Sequence, residues 1–124
     1  LIKDLNKRSI KACVLSNKPQ KRVEDNIYTF FGKKSFFKLY GERAGVPIKP
    51  DPTALNMLIA EIKVEKEEVL YIGDSDVDVY TGRAVGVKTV AVKWGYRSTE
   101  VLMEAKPDYI IESPEQIIKI VEGI

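Results

Sequence analysis

The chain has 124 residues, 20 basic and 18 acidic side chains, and a formal net charge of +2. With 44% hydrophobic and 31% charged residues it reads as one soluble globular domain over 1–124, and no apolar run nears the roughly 18 residues of a membrane span. Having no histidine and one cysteine, it excludes serine–histidine and cysteine–histidine catalysis, histidine metal sites and an internal disulfide.

In chain order, LIKDLNKRSI places Leu1, Ile2 and Leu5 on one helical face ahead of the basic pair Lys7-Arg8. The apolar run from Ala12 to Leu15 predicts a buried strand, with Cys13 as a small hydrophobe in a reducing, cytoplasmic setting. In QKRVEDNIYTFFG, Val23, Ile27, Phe30 and Phe31 recur at helical spacing, and Gly32 supplies a stop. SFFKLYG reads as a strand, and Gly41, Gly45, Pro47 and Pro50 make GERAGVPIKP a loop. Asp51-Pro52 predicts a helix cap followed by proline at the first helical position. Leu55, Leu58, Ile59 and Ile62 then form the stripe of TALNMLIAEI.

EVLYIG predicts the next strand, and VDVYTGRAVG a helix closing at Gly86. VKTVAV is a strand, STEVLMEA a short helix, DYII a strand, and SPEQIIKIVEG a last helix opened by Ser113-Pro114. Strands alternating with helices on short connections predict an α/β fold with a mainly parallel sheet. The basic clusters Lys18 to Arg22 and Lys33-Lys34 read as solvated surface, so neither nucleic acid nor a membrane is the expected partner.

Ligands of open parallel sheets bind beyond the carboxyl ends of the strands, so the residues after each strand carry the chemistry. Ser16 and Asn17 in VLSNKPQ offer a hydroxyl and an amide at a strand-to-helix turn, suited to one phosphate oxygen or to a plain helix cap. Lys49 in IKPDP offers a point charge for a phosphoryl group. The cluster YIGDSDVDVY fails as a calcium loop, because Val79 and Val85 stand where glycine and glutamate are needed. Two readings stay open: a phosphate-accepting Asp-x-Asp pair at Asp74 and Asp76, and a magnesium site at Asp74 and Asp78. The first is weakened by Gly73 directly before the acid and by the lack of Thr or Val two places after Asp76. The second suits a hard cation that keeps waters beside one or two carboxylates. Trp94 and Tyr96, after the strand VKTVAV, are candidates for shaping a substrate pocket.

Taken in order, VLSNKP, KPDP and GDSDVD resemble motifs two, three and four of the haloacid dehalogenase-like hydrolases, and with VAVKWGY they most resemble the phosphoglycolate phosphatase-like branch. The resemblance covers nearly the whole chain. It implies a three-layer αβα Rossmann-like core and a magnesium-dependent phosphatase acting on a small phosphorylated metabolite, such as 2-phosphoglycolate. It gives Ser16, helped by Asn17, the binding of the phosphoryl group, and Lys49 the offsetting of its charge. Asp74 would ligate Mg2+, and Asp78 would complete or orient that site. Asp76 falls on an unspecified position and is expected to face solvent or cap the helix.

The family's first motif, Asp-x-Asp-x-Thr or Val, is expected on an early strand, and it supplies the nucleophile and the acid for the leaving group. Only Leu1 to Lys11 precede the second-motif strand here, and Asp4 among them lies in a helical pattern. The resemblance therefore implies a core incomplete at its N-terminal side. A preceding segment bearing the nucleophile strand and the cap is expected in cis or from another chain, and the 124 residues alone are expected to be inactive. The alternative is a non-catalytic homologue binding phosphate or a protein partner.

Overall fold

The computed structural model describes residues 1–95 and 97–123, and it divides into two compact units, Leu1–Ile48 and Lys49–Ile124. In the first unit α1 (Ile2–Lys7) leads to β1 (Cys13–Pro19), α2 (Gln20–Phe31) and β2 (Lys38–Glu42). Strands β1 and β2 pair in parallel, Val14 beside Leu39 and Leu15 beside Tyr40, and the register slips between Leu15 and Pro19. That irregularity lets the strand run on to Pro19, past the expected end at Leu15, so Ser16 and Asn17 lie within β1. Gln20 ties the start of α2 to β2. Its Nε2 donates to the Leu39 carbonyl at 2.9 Å, and its Oε1 accepts the Gly41 N–H at 2.6 Å. The approach leaves no room for a side chain on Gly41, whose Cβ would stand 2.6 Å from the Gln20 Cα.

Helix α2 buries Val23 alone and ends at Gly32, whose φ of 82° supplies the expected stop. Phe30 and Phe31, predicted with Val23 as its apolar stripe, are 78% and 50% exposed. Periodicity tells which residues share a face, and only packing tells how far along the helix that face is covered.

The second unit holds α3 (Thr53–Ile62), a 3-10 turn at Lys66–Glu68, β3 (Leu70–Gly73), α4 (Asp76–Val85), β4 (Lys88–Val92), α5 (Thr99–Glu104), β5 (Tyr109–Ile111) and α6 (Glu115–Glu122). Helix α3 begins at Thr53 rather than Pro52, and Asp51 serves it from outside by accepting the Thr53 N–H at 2.9 Å. Hydrogen bonding from the Thr53 side chain, and then from its backbone N–H, holds the Asp51 carboxyl below its ordinary range. The 3-10 turn, absent from the sequence reading, is closed by a reciprocal capping box between Glu65 and Glu68.

All three strands of this unit are parallel, in the order β3-β4-β5. Alternation along the central strand β4 gives the sheet two apolar faces. Ala91 packs with Val79 of α4 and with Leu102 and Ala105 of and after α5. Val90 and Val92 pack with Ile111 and with Ile117 of α6. Helices thus cover both faces, which is the α/β layering the sequence predicts. Gly82 lets α4 lie directly on the sheet, since a Cβ there would run into the Thr89 Cγ2. Among the described residues no helix is long and apolar enough to cross a membrane.

Leu102 is fully buried. Its replacement by alanine is expected to cost about 3 kcal/mol, read as a lower urea midpoint at unchanged slope.

Candidate active site

The carboxyl end of β3 is where the sequence of the second unit concentrates charge. Gly73 closes the strand, and a Cβ there would run into the Asp78 carboxylate and its Cβ. Glycine is therefore required by a close approach: the side chain of the first turn of α4 folds back onto the strand end. Ser75 caps α4, its hydroxyl accepting the Asp78 N–H at 3.4 Å and donating to Asp78 Oδ2 at 3.2 Å. Asp76 and Asp78 both lie in the first helical turn, where unpaired amides and the helix dipole favour negative charge.

Lys49 reaches this turn from the loop before α3. Its Nζ donates to Asp78 Oδ1 at 2.7 Å, with side-chain exposures of only 14% and 10% for the two partners. The structure thus joins Lys49 and Asp78, which the sequence reading had assigned to phosphate and metal respectively. Both Asp78 oxygens are engaged, one by Lys49 and one by Ser75, so this acid orients the lysine and the turn. Asp74 stands apart from that network. It is exposed, and its carboxylate makes no hydrogen bond or ion pair among the described residues.

That donor set fits magnesium in the manner of a cation that takes most of its ligands from elsewhere. Among the described residues no three Asp, Glu, Cys or His side chains gather as a cage. A hard cation held by one or two carboxylates, with water and phosphate completing the shell, asks for no more than Asp74 and an ordered neighbour.

Asp76, expected to face solvent or cap the helix, does neither alone. It accepts Arg97 Nε at 3.1 Å, and the cap belongs to Ser75. Sequence reasoning missed Gln20, Ser75 and Arg97. The Gly-Asp-Ser spacing did signal a cap at Ser75, three residues before an acid; nothing in the sequence ties residue 97 to 76. Trp94, proposed for the substrate pocket, lies in the turn after β4 and is 53% exposed. Tyr96 lies outside the described residues. In the first unit the Ser16 hydroxyl accepts the Lys18 N–H at 3.1 Å, and the N-cap position of α2 is Pro19, which has no side-chain cap bond.

Tyr71 lies beneath the turn, packed on Gly82 with its Cδ2 3.3 Å from where a Cβ would stand. Burial pushes its phenol well above the ordinary 10.0, and the Asp78 charge adds to the effect.

Residues 1–92 match the family model of the haloacid dehalogenase-like hydrolases. Among curated proteins, a candidate pyrophosphatase from Caldanaerobacter subterraneus is 34% identical over 96% of this chain and 54% of its own length. A phosphoglycolate phosphatase from Synechococcus elongatus is 32% identical over 98% of this chain and 56% of its own. Among solved structures, a candidate phosphoglycolate phosphatase from Lactobacillus delbrueckii subsp. bulgaricus superposes with a TM-score of 0.91 at 30% identity, over 97% of this chain and 50% of that one. The chain spans about half the length of the curated relatives it matches.

Replacing Lys49 by methionine leaves Asp78 buried without its cation, and is expected to cost about 3 kcal/mol by urea unfolding. The double variant Lys49→Met/Asp78→Asn is expected to recover part of that loss. Because the folded protein keeps the Tyr71 proton that the unfolded chain releases above 10.0, the Tyr71 contribution to stability should be level below that pH. It should then fall by about 1.4 kcal/mol per pH unit above it. Tyr71→Phe should flatten the alkaline limb in unfolding titrations.

Proposed function

Because the chain belongs to the haloacid dehalogenase-like hydrolase family, we propose that the protein is a cytoplasmic, magnesium-dependent phosphatase of a small phosphorylated metabolite, with 2-phosphoglycolate as the first candidate. The observation that carries this reading is the Lys49–Asp78 pair at 2.7 Å beside the uncommitted Asp74 carboxylate, all at the carboxyl end of β3. The relatives named as phosphoglycolate phosphatases support the substrate, and the one named as a pyrophosphatase supports phosphoryl-transfer chemistry more broadly.

In this reading Asp74 ligates the metal and Asp78 orients the site through Lys49 and Ser75. Mg2+, when bound, would supply charge neutralisation to the transferring phosphoryl group. Lys49 holds a fixed positive charge where negative charge is carried, so no side chain has to reorganise during transfer. Ser16 and Asn17 are assigned to the phosphoryl oxygens by motif order and by residue type. The 124 residues are assigned to the C-terminal portion of a single hydrolase core. The nucleophile is assigned to an aspartate on a further segment, in cis or from another chain. It attacks phosphorus, the alcohol leaves with a proton from a second acid of that segment, and water then hydrolyses the aspartyl-phosphate.

The full-length protein with Mg2+ is expected to hydrolyse p-nitrophenyl phosphate and 2-phosphoglycolate, and chelation with EDTA to abolish turnover. Asp74→Ala should lower kcat by about 100-fold or more, while residues 1–124 alone should show no turnover above buffer. Failure of every phosphate monoester would sink the phosphatase reading and favour a non-catalytic homologue that binds phosphate or a protein partner.

A further inference from the structure

The turn after β4 is pinned at both ends. Lys93 N–H donates to the Ile111 carbonyl at 3.0 Å, fixing its start to β5. Arg97 Nε reaches Asp76 Oδ1 at 3.1 Å, fixing its end to the acidic turn. Ser98 then caps α5 by accepting the Val101 N–H at 3.3 Å. Between those anchors Gly95 lies directly against Asp74. A Cβ at residue 95 would run into the Asp74 Cβ, and would stand 2.8 Å from its Oδ2 and 2.9 Å from its Cγ.

The atom met first decides what a side chain at 95 would do. Rotating the carboxylate moves Oδ2 away but leaves Cβ in place, because Cβ is fixed to the backbone. A methyl group at 95 therefore has to displace one of the two turns. Gly95 has no left-handed φ to demand glycine, so the requirement is one of space alone.

We propose that the segment after β4, through its described residues 93–95 and 97, is the positioning element for Asp74, with Gly95 as its point of contact and the Arg97–Asp76 pair as its tether. The inference rests on Asp74 as a magnesium ligand and adds a residue that sets where that ligand stands. Groups that hold a metal ligand in place typically govern affinity by about 10- to 100-fold. The Arg97–Asp76 pair is partly exposed, with side-chain exposures of 49% and 30%, and contributes the smaller share.

The test is Mg2+ binding by titration calorimetry on the full-length protein, with turnover against Mg2+ concentration as a second readout. Asp74→Asn should abolish binding, and Gly95→Ala should weaken it about tenfold, with excess Mg2+ restoring kcat. Arg97→Gln, which leaves the backbone space untouched, should weaken binding about two- to threefold at low salt and not at high salt. It decides the case if Gly95→Ala fails to fold. Affinity in folded Gly95→Ala within twofold of the unsubstituted protein, where Asp74→Asn loses it, overturns the proposal and leaves the metal reading standing. If Asp74→Asn binds Mg2+ normally, the metal reading falls. The Asp74 amide resonance then decides: shifted in Gly95→Ala it supports positioning, and unshifted it overturns it.

Discussion

A partly buried ammonium and a buried carboxylate, Lys49 and Asp78, hold the second unit's charged end together. Neither tolerates that burial alone, since each would face the cost of leaving water without a counter-charge. Together at 2.7 Å they offset each other and fix three things at once. The loop before α3 is held to the start of α4. The Asp78 side chain is folded back over the strand end, which only a glycine at 73 permits. The remaining Asp78 oxygen is left for Ser75, which caps the helix. Asp74, one residue past the strand, is thereby presented on a rigid support while staying out of the network.

Close approaches by glycine recur wherever the backbone of this unit has to meet something else. Gly82 admits Thr89 between α4 and the sheet, Gly73 admits Asp78, and Gly95 admits Asp74. None of the three has a left-handed φ, so each is explained by occupied space rather than by backbone freedom. Two of them bear on acids at the same strand end. The arrangement shows how a small domain positions carboxylates with little side-chain machinery: it removes a methyl group and lets the opposing element close in.

What chain order offered was a resemblance. Taken singly, a hydroxyl–amide pair suits a helix cap and a loop lysine suits a solvated surface; only with the acid after an apolar strand, in that order, do they resemble the phosphate-handling motifs of the family. The partition of roles was not legible. The resemblance makes Asp74 the metal ligand and Asp78 the acid that completes or orients that site, and it leaves the lysine independent of both. Lys49 and Asp78 are 29 positions apart, and the pairing of distant side chains leaves no mark in the spacing of either motif. The same holds for Asp76, whose partner Arg97 arrives from the far end of the next strand.

The alternation of strands and helices, and with it the α/β fold and its parallel pairing, was fixed by local periodicity and by the short connections. Those depend on neighbours three or four residues away. The cap residue of α3, the 3-10 turn at Lys66–Glu68 and the exposure of Phe30 and Phe31 depended on packing and hydrogen bonds that periodicity does not encode. Tertiary structure alone decided which carboxylate pairs with Lys49 and which makes no hydrogen bond or ion pair among the described residues. Burial and charge pairing are properties of atoms brought together by the fold, and a sequence states only which atoms are available.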